Sequence, residues 1–267
     1  MELIGYKKSS HALFDGIQSL FHYQPLSSEQ HKTWLIETLL ENKIYCSHSA
    51  DFNDPWDMKP LVKETYNEGD INKLIEYLRN NHSSSFEKMK RAGKIIYDHA
   101  SLNEFARDLV LWHWDMFETN FRVYCLTLGS DNLLMWSHYA NNHRGICLEF
   151  DTNNSVFGSA WKVEYHEEYP YSPWDNNFDV MCLALTKAKC WMYEREYRVL
   201  SETGGLGRTL SVGNDNKLFF PSNALKSVIV GCKADYDEIL SFIRSVRPDL
   251  PVKRAIMSSN RYGLHIE

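Results

Sequence analysis

The sequence contains no apolar run near the roughly 20 residues that span a bilayer, and residues 1–8 lack the apolar core of a signal peptide. We therefore expect a cytoplasmic protein with no membrane partner. An excess of basic residues is also absent, because 29 Lys and Arg face 35 Asp and Glu, which gives a net charge of −6. General nucleic-acid binding depends on a basic face, so we expect no strong binding of that kind.

The sequence has no Cys-x-x-Cys pair among its 6 cysteines. We therefore expect neither a disulfide framework nor a structural zinc site. Three of the cysteines fall within apolar strand-like runs, where a free thiol behaves as a small hydrophobe. His138 and His143 are five residues apart, unlike the i, i+4 pair of a zinc helix, so we expect no metal site.

What the sequence does have is hydrophobic content of 43%, with 13% aromatic residues in 267. This predicts one α+β domain over residues 1–267, with a compact core. Residues 60–118 are charged and follow a helical period, with helices predicted at 69–81, 84–99 and 101–118. We interpret them as a helical insertion, either a lid or a structural layer of the same domain. From Ser227 onward the pattern predicts a β–α–β unit.

The segment from Asp131 to Asp151 is predicted to form a short helix, a turn and a strand. Its helix carries Trp136, His138 and Tyr139 within four residues. Trp136 is expected in the core. His138 and Tyr139 either cap the helix or line a site, and the pattern leaves both interpretations open.

A second polar group follows the pattern of a strand predicted over residues 193–200. Alternation there places Glu194 and Glu196 on one face, with Arg195 opposite. Neighbouring carboxylates repel each other, which raises one pKa. They can form surface ion pairs, or they can stabilise the oxocarbenium-like transition state of glycosyl transfer. A third candidate is His22 with Tyr23, for which an edge-strand histidine and a core tyrosine are the plain alternative.

Several motifs, in this order, resemble a known family. They are Phe21-His-Tyr23, Phe52-Asn-Asp-Pro-Trp56, Tyr124-Cys-Leu-Thr127, Leu134-Met-Trp-Ser-His-Tyr-Ala140 with His143-x-Gly145, Trp191-Met-Tyr-Glu-Arg-Glu-Tyr-Arg198, and Ser227-Val-Ile-Val-Gly-Cys-Lys233. Together they resemble a mostly bacterial family catalogued as a domain of unknown function, number 2971. The resemblance covers about residues 20 to 262, and the combination of motifs is specific. The family has no established activity to transfer.

The succession of a strand ending in His, a hydroxyl-bearing strand and a Glu-x-Glu strand is similar to the ADP-ribosyltransferase superfamily. This more distant resemblance implies split antiparallel or mixed sheets around an NAD cleft, with the helical insertion added. It implies that His22 holds a ribose with Tyr23 beside it, and that Thr127 occupies the middle strand, where Cys125 departs from the serine of the pattern.

The same resemblance implies roles for the remaining candidates. Glu196 is implied as the catalytic residue, with Glu194 on the acceptor side. Tyr139, next to His138, is the candidate for stacking on nicotinamide. Arg122, Arg144 and Arg198 are equal candidates for a phosphate contact.

The leading hypothesis is therefore an ADP-ribosyltransferase that takes NAD as a substrate and passes ADP-ribose to an unknown macromolecular acceptor or to water. A toxin or phage-defence role is an expectation of the same kind. Two alternatives stay open. One is a non-catalytic module that binds a nucleotide or a protein, and the other is a metal-dependent hydrolase or nuclease using Asp54, Asp57 and His138.

Overall fold

The computed structural model describes residues 10–91, 99–169, 181–203 and 209–267. These residues form two compact units. Unit 1 comprises the described residues of 52–120 and 164–189, and unit 2 those of 10–51, 121–163 and 190–267.

Strands and helices follow one another in mixed order along the chain. The strands are β1 (Ser19–Gln24), β2 (Lys43–Tyr45), β3 (Phe121–Thr127), β4 (Ile146–Asp151), β5 (Trp161–Lys162), β6 (Glu164–His166), β7 (Thr186–Ala188), β8 (Glu196–Glu202), β9 (Leu210–Ser211), β10 (Lys217–Phe219), β11 (Leu225–Val230), β12 (Val252–Met257) and β13 (Leu264–Ile266). The α-helices are α1 (Glu29–Ile36), α2 (Glu68–Arg91), α3 (His99–Asn120), α4 (Leu133–Tyr139), α5 (Met181–Ala184) and α6 (Tyr236–Val246). This mixture confirms the predicted α+β class.

A mixed sheet dominates unit 2. Among the described residues its strand order is β13-β12-β11-β4-β1-β3-β8-β5, with β9 paired to β8. The central strand β1 is antiparallel to both of its neighbours, β3 and β4. Strands β11 and β12 are parallel and flank α6 in the chain, which confirms the predicted β–α–β unit.

Side-chain alternation gives this sheet two distinct faces. The first face carries Leu20 and Leu148, which belong to the larger apolar core. The second carries Tyr23 and Cys147, which pack with Trp136 of α4 in a smaller cluster. The residue predicted to lie in the core, Trp136, is fully buried.

Unit 1 contains α2 and α3, which share an apolar cluster of their own. It also contains β6 and β7, a parallel two-stranded sheet. Helix α2 runs unbroken from Glu68 to Arg91, so the predicted break between residues 81 and 84 is wrong. Residues 92–98 of the predicted insertion lie outside the described residues. In the described chain, no helix has the length and apolar character needed to cross a membrane.

The strand predicted over residues 193–200 begins only at Glu196. Residues Lys189–Glu194 form a 3-10 helix instead, and Arg195 adopts a left-handed backbone with φ of 48°. That residue breaks the two-residue alternation. The prediction that Glu194 and Glu196 share one strand face is therefore wrong.

Candidate functional site

Helix α4 is fixed at its start by Asn132. The Asn132 side-chain oxygen accepts hydrogen bonds from the backbone N–H groups of Leu134 and Met135, at 2.9 and 3.3 Å. Its amide nitrogen donates to the carbonyl of Tyr193 at 2.8 Å. One side chain thus caps the helix and ties it to the 3-10 helix that ends at Glu194.

Two further side chains of α4 reach the same 3-10 helix. The Tyr139 hydroxyl donates to the Glu194 carboxylate at 2.5 Å, and Glu194 is only 2% exposed. His138 is exposed, and its Nδ1 lies 2.8 Å from the Tyr193 hydroxyl. The His138 ring meets those of Tyr193 and Trp191 edge-on. We call these five residues, His138, Tyr139, Trp191, Tyr193 and Glu194, the α4 cluster.

Glu196 lies beside this cluster but is engaged elsewhere. Its carboxylate accepts two hydrogen bonds from the Arg198 guanidinium, at 2.8 and 3.1 Å. Both side chains are almost fully buried. Thr127 pairs with Glu196 across β3 and β8, and its hydroxyl donates to the carbonyl of Glu194. The structure therefore brings Thr127, Tyr139, Glu194 and Glu196 together.

His22 lies on the opposite face of the sheet. Its ring stacks on Tyr124 of the larger core at 4.3 Å, and its Nδ1 is 2.8 Å from the carbonyl of Cys125. Burial lowers the pKa of His22 to about 4, so the ring is neutral near pH 7. Because His22 faces away from Glu196, the two do not share the side of the sheet that the resemblance implies.

Tyr23, the neighbour of His22, does face α4. Its ring packs edge-on against Trp136 at 5.0 Å, and its hydroxyl donates to the carbonyl of Gly129 at 2.9 Å. Burial raises the pKa of Tyr23 far above its usual value. Tyr23 therefore packs against α4 from the sheet and is buried within the smaller cluster.

The turn after α4 has an unusual backbone. Asn141, Asn142 and His143 all have positive φ values, of 46°, 53° and 68°. A Cβ on Gly145 would come within 2.4 Å of the carbonyl oxygen of Gln24, and one on Gly231 within 2.3 Å of that of His143. Only glycine fits at either position. The turn is therefore held in a conformation that isolated residues rarely adopt.

Two contacts from outside the turn hold the side chain of His143. His143 Nε2 lies 3.1 Å from the Ser137 hydroxyl, and its Nδ1 lies 3.7 Å from the Cys232 thiol. Burial, with the positive charge of Lys233, lowers the pKa of His143. The imidazole is thus held between the Ser137 and Cys232 side chains.

Arg144 follows in the turn and lines a cavity of about 230 Å³ in unit 2. We call it the cation cavity, because Lys32, Arg144 and Lys233 line it together with Asp235 and Glu238. Lys32 forms an ion pair with Glu29. Within the described chain, Arg144 and Lys233 have no ion-pair or hydrogen-bond partner for their side chains.

The structure thus separates the three arginines that the sequence left equal. Arg198 is paired with Glu196, and Arg122 donates to Asn216 and to the carbonyl of Phe121. Arg144 lines the cation cavity. Nothing in the sequence assigned Lys233 to a site, because no local pattern shows that the turn after β11 lies against the turn before β4.

The third hypothesis, a metal-dependent hydrolase, gains no geometric support. Over the described ranges, no three His, Cys, Asp or Glu side chains are grouped as a set of metal ligands would be. We therefore build no function on Asp54, Asp57 and His138 acting together.

Comparisons with curated proteins and with solved structures found no match for this chain. One family model does match, and its segment covers residues 135–139 of α4, the left-handed turn, Glu194 and Glu196. That model is described as "Protein of unknown function (DUF2971)", and its match to residues 135–199 supports the resemblance to this family.

Proposed function

We propose that unit 2 is a nucleotide-binding module in which the cation cavity holds the phosphate groups, with NAD as the expected ligand. The observation that carries the proposal is the pair of cations, Arg144 and Lys233, that line the cavity without partners in the described chain. Arginine binds phosphate oxygens through two parallel donors, and lysine acts as a point charge.

The mixed lining favours a nucleotide over a bare phosphate ion. Asp235 and Glu238 line the same cavity, and carboxylates accept hydrogen bonds from ribose hydroxyls. The cavity also lies where β11 ends and α6 begins. In α/β units, ligands commonly bind outside the carboxyl end of a strand.

Calorimetry with NAD and ADP tests this proposal. We expect Arg144→Gln and Lys233→Gln each to weaken binding about tenfold or more, since a hydrogen bond to a charged group contributes about 1.5–3 kcal/mol. Arg261→Gln and Lys162→Gln are matched controls, because both residues are exposed and neither lines the cavity. Binding that ignores the cavity substitutions, or no binding of either nucleotide, would contradict the proposal.

A second candidate function is the ADP-ribosyl transfer expected from the resemblance, in an ADP-ribosyltransferase-like fold. The specific observation in its favour is the hydrogen bond from Tyr139 to Glu194, beside the exposed His138 ring and the half-buried rings of Trp191 and Tyr193. In this reaction the bond between ribose C1′ and the nicotinamide nitrogen breaks, nicotinamide leaves with the electron pair, and an acceptor or water attacks C1′. A carboxylate stabilises the positive charge that develops on the sugar.

In this second candidate, Glu194 and Glu196 together stabilise the positive charge on the sugar. We add Glu194 to the expected Glu196, because Arg198 already neutralises the Glu196 carboxylate. Mass spectrometry of NAD incubated with the protein measures nicotinamide release. We expect Glu194→Gln to abolish release and Tyr139→Phe to slow it. Trp112→Leu, which changes an exposed residue of unit 1, serves as the control. If wild-type protein releases no nicotinamide, with or without cell lysate, transfer is excluded while nucleotide binding can still stand.

A further inference from the structure

We propose that unit 1 carries a separate binding site for a neutral, planar heteroaromatic molecule of nucleobase or nucleoside size. The site is a cavity of about 310 Å³, which we call the Trp56 cavity. Its lining includes Trp56, Leu61, His166, Tyr169, Thr186 and Lys187. The volume falls at the small end of the range for small-molecule sites.

A buried ion pair anchors the frame of this cavity. The Lys187 ammonium lies 3.4 Å from the Asp57 carboxylate, and both side chains are almost fully buried. Asp54 holds the same loop by accepting a hydrogen bond from the backbone of Trp56 at 2.9 Å. The Lys187–Asp57 ion pair thus joins β7 to the loop that carries Trp56, and a buried ion pair is costly to break. The walls of the cavity are therefore formed before a ligand binds.

The apolar part of the lining suits a flat ring. The Trp56 side chain is 67% exposed, although it lines the cavity together with Pro60, Leu61 and Leu183. An exposed indole beside an apolar wall offers one face for offset stacking. Tyr169 adds a second aromatic side chain to the lining.

The polar part of the lining offers hydrogen bonds. Thr186 Oγ1 and His166 Nε2 are buried atoms that have no hydrogen-bond partner within the described chain. His166 Nε2 is 3.6 Å from the Glu164 carboxylate, which is beyond hydrogen-bond length. Strands β6 and β7 pair in register and place His166 opposite Ala188, two pairs along from Thr186. Buried polar atoms in proteins nearly always have a hydrogen-bond partner, and in the proposed complex the ligand supplies it.

The charges of the lining favour a neutral ligand. Two lysines, Lys59 and Lys187, are balanced by two glutamates, Glu167 and Glu168. Lys187 is already paired with Asp57, and Glu167 accepts from Lys189 at 2.7 Å. Orientation would therefore come from Thr186 and His166, and most of the affinity from ring stacking.

Nucleosides test this inference separately from the proposed function, because they lack the phosphates that the cation cavity needs. Adenosine, guanosine, cytidine and uridine are titrated into the full chain and followed by calorimetry and saturation-transfer NMR. We expect at least one to bind. We expect Trp56→Leu and Thr186→Val each to weaken that binding about tenfold, the loss of roughly one stacking contact or hydrogen bond.

Trp112→Leu is the matched control, because Trp112 is a tryptophan of α3 that is 56% exposed and does not line the cavity. Circular dichroism checks that each variant is folded. The inference is overturned if no nucleoside binds at millimolar concentration. It is also overturned if binding survives both cavity substitutions, or if Arg144→Gln weakens it as much as Trp56→Leu. A failure of Arg144→Gln to alter NAD binding would overturn only the proposed function.

Discussion

Glu196 and Arg198 form a two-point ion pair between residues i and i+2 of β8, and both side chains are buried. We expect Arg198→Met to lower the free energy of unfolding by about 3–5 kcal/mol, because it removes the positive charge that neutralises a buried carboxylate. Denaturant titration measures this. The double variant Glu196→Leu with Arg198→Met should recover much of the loss, and a single variant as stable as wild type would contradict the prediction.

The two crowded glycines give a second prediction. Gly145→Ala and Gly231→Ala should each destabilise unit 2 by about 1–3 kcal/mol or more, because the added methyl group meets backbone atoms that cannot move aside. Gly263→Ala is the control, since its Cβ would meet nothing closer than 3.6 Å. Thermal unfolding compares the three. Equal melting temperatures for all three variants would show that the turn yields.

The lowered pKa of His22 predicts a dependence of stability on pH. Its pKa is about 4 in the folded protein and about 6.5 when unfolded, so the folded state binds fewer protons between these values. The contribution of the neutral His22 ring to the free energy of unfolding is complete above pH 6.5. It is lost as the pH falls toward 4. At most, this loss is about 3 kcal/mol.

The variant His22→Phe isolates this effect, because it keeps a ring against Tyr124 and removes the titration. Denaturant titrations at several pH values compare it with the wild type. We expect the difference in unfolding free energy between the two proteins to change between pH 6.5 and 4. A constant difference over that range would contradict the assignment.

Asn132 supplies a fourth prediction, since it both caps α4 and binds the Tyr193 carbonyl. Asn132→Ala should cost about 1–2 kcal/mol of stability and loosen the α4 cluster. Asn132→Asp keeps the capping oxygen but cannot donate to Tyr193. We expect the Asp variant to retain most of the helix stability, and hydrogen exchange of Leu134 and Met135 measures the difference.

Much of unit 2 was predictable because its signals are local. The helix, turn and strand predicted over residues 131–151 match α4 and β4 to within a few residues, and the β–α–β unit predicted from Ser227 matches β11, α6 and β12. His138 and Tyr139 of α4 were expected either to cap the helix or to line a site. Tyr139 contacts Glu194.

The rest depended on single residues or on distant partners. One left-handed residue, Arg195, removed Glu194 from the strand face that it was expected to share with Glu196. The same two-residue alternation, followed one step further along β8, pairs Glu196 with Arg198. Arg144 and Lys233 line the same cavity because β4 pairs with β11, and no local sequence pattern reveals that pairing.

The interleaving of the two units along the chain has a consequence for how the protein is made. During synthesis β1 emerges before α2 and α3, yet its neighbours β3 and β4 follow roughly a hundred residues later. Helices α2 and α3 emerge in between and share local contacts that can form early. Strand β1 therefore stays unpaired with β3 and β4 while α2 and α3, which follow it in the sequence, can already fold. Slower translation after residue 120 would favour that order of events.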